Sequence, residues 1–312
     1  MISRAVLGRT GIEVSRLCFG TLTMSPMQAK LSHQEGARLI LRARERGVNF
    51  LDAAELYDSY GYIGEALKSD RDMVVAAKSY CYDEKTAQAS LEKCLREIGR
   101  DWVDLFMLHE QESIHTLRGH EGALTYLNRQ KEQGRVRAVG VSTHYAGCVR
   151  SAATFGGIDV IFPIVNMEGL GVADGSREDM ERAVAFAREC GIGMYAMKAL
   201  GGGHLIPKRR EAFRYALSVE GISSVAVGMQ RDEEVDYNCD LFEGLEPNEE
   251  LARRDKRRLL IDFWCEGCGR CARRCGQGAI QVIDGRARVD ESKCVLCGYC
   301  GSVCPQFCIK VV

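Results

Sequence analysis

The stretch CEGCGRCARRC, residues 265–275, contains four cysteines that are separated by two, two and three residues. The same spacing returns at residues 294–305, which read CVLCGYCGSVCP. Three thiolates at this spacing wrap one face of an iron–sulfur cube, and the fourth cysteine of each run reaches across to the other cube. Two complete copies of the pattern therefore predict two [4Fe–4S] clusters near the end of the chain.

The predicted ligands form two crossed sets. The first cluster is expected to bind Cys265, Cys268, Cys271 and Cys304, and the second Cys294, Cys297, Cys300 and Cys275. One such motif alone could hold zinc, but two full copies argue against a zinc site or purely structural thiols. The segment resembles a bacterial two-cluster ferredoxin, with Gly276 where the second run has Pro305. The resemblance implies that this part of the chain transfers electrons.

The composition of the 312-residue chain limits its class. A formal net charge of −1 gives no argument for nucleic acid or an acidic membrane surface as a partner. The first residues lack the apolar stretch of a signal peptide, and no run of about 20 apolar residues could span a membrane. Eight of the fifteen cysteines are assigned to clusters, and the remaining thiols fit a reducing compartment. A cytoplasmic location is therefore expected.

Positive charge gathers in the cluster segment. From residue 262 onward, seven Lys and Arg stand against five Asp and Glu. The simpler interpretation is that the arginines offset the negative charge of the clusters. A basic face could also bind an acidic, low-potential electron carrier, a ferredoxin or a flavodoxin.

The first 240 residues alternate short apolar runs with amphipathic helical segments. The strand candidates are residues 16–20, 48–53, 73–78, 103–109, 136–141, 160–165, 193–197 and 223–227. Eight β–α alternations predict a (β/α)8 TIM barrel with its site at the carboxyl ends of the strands. An open doubly wound sheet is the alternative, but no G-x-G-x-x-G follows the first strand.

The predicted α/β architecture has three parts. They are a barrel at residues 1–240, a charged helical connector at 241–261, and a small α+β ferredoxin-like iron–sulfur domain at 262–312. Within the last part, Asp284-Gly285 between two apolar-alternating runs predicts a hairpin turn.

Four side chains lie at or near strand ends, where barrel enzymes have their site. Asp52 ends the second strand, Lys78 the third and His109 the fourth, and Tyr57 lies in the loop after Asp52. A tyrosine can protonate a carbonyl oxygen if an adjacent ammonium lowers its pKa, an aspartate can fix that ammonium, and a neutral histidine can orient the oxygen. Taken singly, Lys78 is more simply explained as a paired strand-end cation and His109 as a core histidine.

The motifs around these residues occur together in one family. They are LGRTGIEVS at 7–15, FGT at 19–21, LDAAELY at 51–57, IGEALK at 63–68, Leu108-His109 and VGVSTH at 139–144. In order and spacing, residues 1–240 resemble the aldo-keto reductases. The resemblance implies an enzyme acting on a small-molecule carbonyl substrate with NADH or NADPH. It also implies that Tyr57 is the general acid, that Lys78 and Asp52 tune it, and that His109 orients the carbonyl.

The expected nicotinamide pocket departs from the family pattern at three positions. Phe162 stands in place of a glutamine for the nicotinamide amide, Met197 in place of a stacking tyrosine, and Glu234 in place of a base for the 2′-phosphate. The choice between NADH and NADPH stays open, since Arg231 could compensate for Glu234. The implied cofactor contacts are Gly20, Thr21, Ser142, Thr143, Asn166, Met197, Leu200, Gly201, Gly228, Arg231 and Asn238.

Three functions fit this combination of motifs. The leading hypothesis is an aldo-keto-reductase-type enzyme whose clusters relay electrons to or from an external carrier. The nearest alternative is a conventional NAD(P)H-dependent carbonyl reductase with structural or redox-sensing clusters, and the third is a non-catalytic electron-transfer module. Hydride transfer moves two electrons whereas each cluster carries one. A bound flavin would resolve this mismatch, although no motif indicates one.

Overall fold

The computed structural model describes residues 1–248 and 258–312. Its main body is a closed barrel of eight parallel strands, as predicted. A hairpin of β1 (Arg4–Val6) and β2 (Glu13–Ser15) precedes the barrel strands, which are β3 (Leu17–Gly20), β4 (Phe50–Asp52), β5 (Val74–Ser79), β6 (Val103–Leu108), β7 (Val136–Thr143), β8 (Val160–Pro163), β9 (Gly193–Ala196) and β10 (Ile222–Gly228). Pairing of β10 with both β3 and β9 closes the barrel. Each strand lies within two residues of its predicted bounds.

Helices connect the strands and cover the barrel. They are α1 (His33–Glu45), α2 (Tyr60–Leu67), α3 (Glu84–Ile98), α4 (Ile114–Gly119), α5 (Glu121–Glu132), α6 (Ala146–Phe155), α7 (Arg177–Glu189), α8 (Arg209–Ser218) and α9 (Asp232–Glu243). Reciprocal capping boxes fix several of their starts, as at Ser32 with Glu35. Because the helices cover one face of the strands and the barrel interior the other, every residue of β5 and β6 is buried. No helix in the described part of the chain is long and apolar enough to cross a bilayer.

The small domain contains two short antiparallel sheets and two short helices. Its elements are β11 (Leu259–Ile261), α10 (Arg270–Arg274), β12 (Ile280–Ile283), β13 (Arg286–Val289), α11 (Tyr299–Ser302) and β14 (Ile309–Val311). β11 pairs with β14, and β12 pairs with β13. The predicted hairpin turn is confirmed, because Asp284 and Gly285 have φ angles of 52° and 72° as a tight hairpin requires.

The predicted helical connector falls partly outside the described residues, since nothing is described between 248 and 258. Its last part is wrong, because Leu259 and Leu260 form a strand opposite Val311 and Lys310. Leu259 is buried in the apolar core of the small domain together with Val311. This pairing with a distant apolar segment outweighs the local helical pattern.

The small domain packs against the carboxyl end of the barrel. Phe307 is buried in the same apolar core as the barrel strands. Nε2 of His204 lies 3.1 Å from the carbonyl oxygen of Ile309. A side chain at Gly203 would collide with the carbonyl oxygen of Val311, so the glycine lets the C-terminal strand approach the barrel loop. Gly203 thus has a packing role at the contact between the barrel and the small domain.

Candidate functional site

The barrel brings the four predicted catalytic side chains to one end. Asp52 is the last residue of β4, Lys78 lies near the end of β5, and His109 directly follows β6. Tyr57 ends a short 3-10 turn, Glu55–Tyr57, five residues after Asp52. Because all eight strands are parallel, their carboxyl ends form one rim, and the four side chains meet there.

Lys78 and Asp52 form a buried ion pair beneath this rim. Nζ of Lys78 lies 2.7 Å from Oδ1 of Asp52 and donates to the carbonyl oxygen of Ala53 at 2.8 Å. The hydroxyl of Tyr195 donates to the same carboxylate at 2.8 Å. Sequence analysis missed Tyr195. The signal that could have indicated it is its position in a buried strand, because the hydroxyl of a buried tyrosine needs a hydrogen-bond partner.

Tyr57 differs from expectation in its acidity. Burial raises its pKa well above the usual value, and the charge of Asp52 raises it further. The predicted lowering by Lys78 is not found, because the ammonium is bonded to Asp52 and Ala53, with Nζ 5.3 Å from the Tyr57 ring centroid. Tyr57 therefore keeps its proton over the neutral pH range, as a proton donor must before reaction.

His109 is positioned as a neutral partner of Tyr57. Its Nε2 lies 3.4 Å from the Tyr57 hydroxyl, and the Tyr80 ring stacks on it with centroids 4.6 Å apart. Burial, then the charges of Lys78 and Lys198, lower the pKa of His109 well below its usual value. Its Nδ1 is buried and has no hydrogen-bond partner among the described residues. A neutral imidazole in this place can orient a carbonyl oxygen next to Tyr57.

Two cavities meet at Tyr57. The first, of about 230 Å³, extends from Asp52 and Phe162 to Gly228 and Glu234, and is called the cofactor cavity below. The second, of about 660 Å³, contains His109 and His144 and is called the substrate cavity. Both domains form the substrate cavity, since its wall includes Asp262, Phe263, Trp264, Glu266, Pro305, Gln306 and Lys310.

The implied cofactor contacts separate into two groups. Four of them line the cofactor cavity: Gly20, Met197, Leu200 and Gly228. The other seven do not line it: Thr21, Ser142, Thr143, Asn166, Gly201, Arg231 and Asn238. Oγ of Ser142 accepts a hydrogen bond from the amide of Glu110, and the amide of Asn166 makes two bonds to the Leu170 backbone. Both side chains thus hold the backbone here, and the nicotinamide roles of Ser142 and Asn166 stay predictions.

The cofactor cavity fits the phosphate end of a dinucleotide better than its nicotinamide end. Phe162 stacks on Tyr195 with centroids 4.0 Å apart, so position 162 offers no amide. Arg231 does not line the cavity but follows Gln230, which does, and Nε and Nη2 of Arg231 are buried without a hydrogen-bond partner in the described residues. Glu234 leaves them unsatisfied, because its Oε1 is 3.6 Å from Nε and its Oε2 accepts from the Gln230 amide. A phosphate beside Arg231 would supply the missing acceptors.

The backbones of the two cysteine runs are similar. Each short helix, α10 or α11, follows a left-handed glycine, Gly269 or Gly298. The amides of Ala287 and Ala279 donate to Sγ of Cys265 and Cys275, each at 3.4 Å. Amide–sulfur hydrogen bonds of this kind help to set the reduction potential of a cluster.

The neighbours of two buried cysteines agree with the crossed ligand sets. Burial raises the pKa of Cys271, and the nearby thiols of Cys304 and Cys265 raise it further. Burial likewise raises the pKa of Cys300 to about 11, with contributions from the thiols of Cys294 and Cys297. Each of these two groups contains three of the four cysteines of one predicted set, and the residue assignment stays a prediction.

Replacing one ligand tests that assignment. Two cubes give about eight irons per chain, and Cys300→Ser is expected to lower this to about four, because a serine is a much poorer cluster ligand than a thiolate. Iron and acid-labile sulfide are measured on anaerobically purified protein. The control is Cys190→Ser, which removes a thiol outside both sets. Full iron in Cys300→Ser, or equal loss in both variants, would contradict the assignment.

The closed parallel barrel is a TIM barrel, and the four predicted catalytic side chains lie at its carboxyl rim. The model of the Aldo/keto reductase family matches residues 16–213, and the chain belongs to this family. The model of a 4Fe-4S dicluster domain matches residues 259–305. The predicted family, fold class and [4Fe–4S] dicluster domain are therefore confirmed.

Individual relatives are distant. "Probable aldo-keto reductase 1" of Glycine max is 25% identical over 214 residues, and the match covers 63% of this chain but only 59% of the plant protein. Among solved structures, the holo form of aldo-keto reductase AKR11C1 from Bacillus halodurans has a TM-score of 0.67 at 18% identity, covering 80% of this chain and 94% of that one. An aldo/keto reductase from Brucella melitensis has a TM-score of 0.62 at 18% identity over 80% and 97% of the chains. At these identities the two structures establish the fold alone.

Proposed function

We propose that this enzyme reduces, or forms, a carbonyl compound with Tyr57 as its general acid, and that its two clusters relay electrons to or from that site. One observation carries the proposal. Tyr57 and His109 face a cavity whose opposite wall comes from the cluster domain. Pro305 and Gln306 directly follow the predicted ligand Cys304 and line the same cavity. Chemistry at Tyr57 and electron transfer through the clusters would thus share one enclosed space.

Each rim residue then has a role. Tyr57 donates its proton to the carbonyl oxygen during reduction and takes it back during oxidation. Neutral His109 holds that oxygen beside the Tyr57 hydroxyl. The Lys78–Asp52 pair lies below the phenol, and the Asp52 carboxylate helps to keep Tyr57 protonated until the carbonyl oxygen takes the proton. The small domain covers part of the substrate cavity, which lowers the effective dielectric constant around these charges.

A dinucleotide in the cofactor cavity would supply a hydride, which is two electrons, whereas a cluster accepts one at a time. Gly20, Gly228 and Arg231 are the residues proposed to hold it. Glu234 and Arg231 are compatible with both NADH and NADPH. A flavin is the cofactor that would convert between two-electron and one-electron steps.

Anaerobic addition of NADH or NADPH to cluster-replete protein tests the relay. Electron paramagnetic resonance is expected to report reduced clusters within the time of carbonyl turnover. Reduction by a low-potential donor but by neither nicotinamide would mean that the clusters serve an external carrier. Clusters that no donor reduces would contradict the relay.

The cofactor cavity also favours a second candidate, a conventional NAD(P)H-dependent carbonyl reductase whose clusters are structural or redox-sensing. The cavity reaches Tyr57 without passing through the cluster domain's cysteines. Cys300→Ser separates the two functions in the full chain. The relay predicts loss of turnover with an external one-electron donor, whereas the alternative predicts unchanged turnover with NAD(P)H. A non-catalytic module predicts no carbonyl turnover with any donor.

An acidic electron carrier is the proposed partner. Arg270, Arg273 and Arg274 are exposed and line a cleft that also contains Cys304. Positive charge beside a cluster ligand would attract a ferredoxin or flavodoxin and bring its redox centre near the cluster.

Charge reversal tests this partner. Arg270→Glu with Arg273→Glu is expected to slow electron transfer from a reduced ferredoxin about tenfold at low salt, and the difference should shrink as salt screens the charges. The control, Arg286→Glu with Arg288→Glu, changes net charge equally on β13, outside the cleft. Stopped-flow absorbance measures the rates. Equal slowing in both variants would show a general charge effect and no docking cleft.

A further inference from the structure

Lys198 is a cation in the substrate cavity that the mechanism above does not use. It follows β9 by two residues and is half-buried between the two domains. Its φ angle of 58° lies in the left-handed region, which a lysine rarely adopts. Nζ lies 2.9 Å from Nε2 of His144 and 4.7 Å from the ring centroid of Phe307. The barrel and the small domain therefore hold the ammonium in a fixed place.

The carboxylates of this cavity have other partners. Asp262 is paired with Lys310, Glu110 accepts from the Tyr80 hydroxyl, and Glu266 accepts from Gln306. The fourth, Glu112, is exposed to solvent. Among the described residues, none places a carboxylate oxygen within 4.0 Å of Lys198 Nζ, and this nitrogen is hydrogen-bonded to neutral His144. A cation removed from water without a counter-ion is unfavourable, so this position is suited to an anion that arrives from outside.

Lys198 lines the same cavity as His109 and Tyr57. Burial, and then the charge of Lys310, lower the pKa of Lys198 to about 7, while the more distant carboxylates of Glu110 and Asp262 act in the opposite direction. The charge of Lys198 in turn helps to lower the pKa of His109 and of His144, after burial in both cases. Lys198 therefore acts on the same histidine that faces the Tyr57 hydroxyl. An anion bound at Nζ would lie beside the carbonyl that Tyr57 and His109 hold.

We propose that Lys198 binds a carboxylate of the substrate, so that the substrate class is a carbonyl compound that also carries a carboxylate, such as an oxo acid or an aldehyde acid. The inference rests on the proposed function, because it assigns the carbonyl to Tyr57 and His109. Lys198 lines both cavities, but His144 lines only the substrate cavity. Nζ, which contacts His144, is therefore on the substrate side, and this argues for a substrate carboxylate over a dinucleotide phosphate.

Matched substrates test the assignment with full-length, cluster-replete enzyme. Pyruvate, succinic semialdehyde and 4-formylbenzoate are each compared with their methyl esters, using whichever donor supports wild-type turnover. Lys198→Met is expected to lower kcat/KM for the preferred acid about 10- to 100-fold, mainly through KM, since it removes a charge-assisted hydrogen bond. The ester should change less than about threefold, and Lys198→Arg should restore part of the preference for the acid.

Lys30→Met is the matched control, because Lys30 is an exposed lysine with a similar φ of 55° and lies outside both cavities. It should change neither the acid nor the ester reaction. Equal losses for acid and ester in Lys198→Met would overturn the proposal. So would a rise in the KM of the nicotinamide with an unchanged acid-to-ester ratio, which would assign Lys198 to a cofactor phosphate.

A binding measurement separates this inference from the proposed function. Isothermal titration of the acids into protein without a reductant needs no turnover. Binding that weakens about tenfold or more in Lys198→Met, but not in Lys30→Met, supports the carboxylate site even if no carbonyl is reduced. Equal binding by the wild type and Lys198→Met would overturn it even if the enzyme reduces carbonyls.

Discussion

Replacing Tyr57 by Phe is expected to lower carbonyl turnover about 10²- to 10⁴-fold, which is the usual contribution of a positioned general acid. The substitution removes one hydroxyl and keeps the ring, so the cavity keeps its shape. The carbonyl oxygen would then face only the imidazole of His109, which burial keeps neutral and therefore a weak acid. kcat should fall more than KM rises, because the proton moves in the transition state.

The control for this variant is Tyr82→Phe, which removes a hydroxyl from a tyrosine that is 56% exposed. Iron content and the visible spectrum of the clusters should be unchanged in both variants, because Tyr57 belongs to the barrel. Turnover in Tyr57→Phe within about threefold of the wild type would contradict the assignment of Tyr57 as the general acid. Loss of clusters with loss of turnover would show that the variant disturbs the domain contact as well.

The sequence was sufficient for the barrel because the information needed is local. A buried parallel strand is a short continuous apolar run, and the helices between the runs have their own period and caps. The order of elements then requires Asp52, Lys78 and His109 at one rim, since parallel strands share a carboxyl edge. The cluster cysteines were equally accessible, because their spacing is itself the signal.

The features that sequence analysis missed depend on residues far apart in the chain. Tyr195 bonds to Asp52 across 143 positions, and it fills the barrel centre together with Phe162. Leu259 was expected in a helix, but its partner Val311 lies 52 residues later. The acidity of Tyr57 was predicted with the wrong sign because desolvation outweighs a nearby charge that is already paired.

The contact between Lys198 and Phe307 also joins residues far apart in the chain. The sequence did not predict the substrate cavity, because the cavity forms where the two domains meet. Neither domain alone encloses that space: the barrel provides Tyr57 and His109, and the small domain provides Trp264 and Lys310. Removing the small domain would also expose the apolar barrel residues that Phe307 covers. Tests of coupling between the domains are therefore better made with point variants of the whole chain than by truncation.

Lys78→Met is expected to lower the free energy of unfolding by about 3–5 kcal/mol, the largest effect on stability among these predictions. The variant removes one partner of a buried ion pair and leaves the carboxylate of Asp52, which is 5% exposed, without its counter-charge. The hydroxyl of Tyr195 still donates to Asp52, but one hydrogen bond from an uncharged donor does not offset the desolvation of a carboxylate. Urea unfolding of anaerobic protein, followed by circular dichroism, measures the change.

Two further variants give this prediction its specificity. Lys68→Met breaks the pair with Glu65, whose side chains are 71% and 33% exposed, and should change the free energy of unfolding by less than about 1 kcal/mol. Adding Asp52→Asn to Lys78→Met removes the stranded charge and should recover more than half of the lost stability. A loss in Lys78→Met no larger than in Lys68→Met would mean that water reaches Asp52. In that case water would screen the ion pair below Tyr57, and its role in keeping the phenol protonated would fail with it.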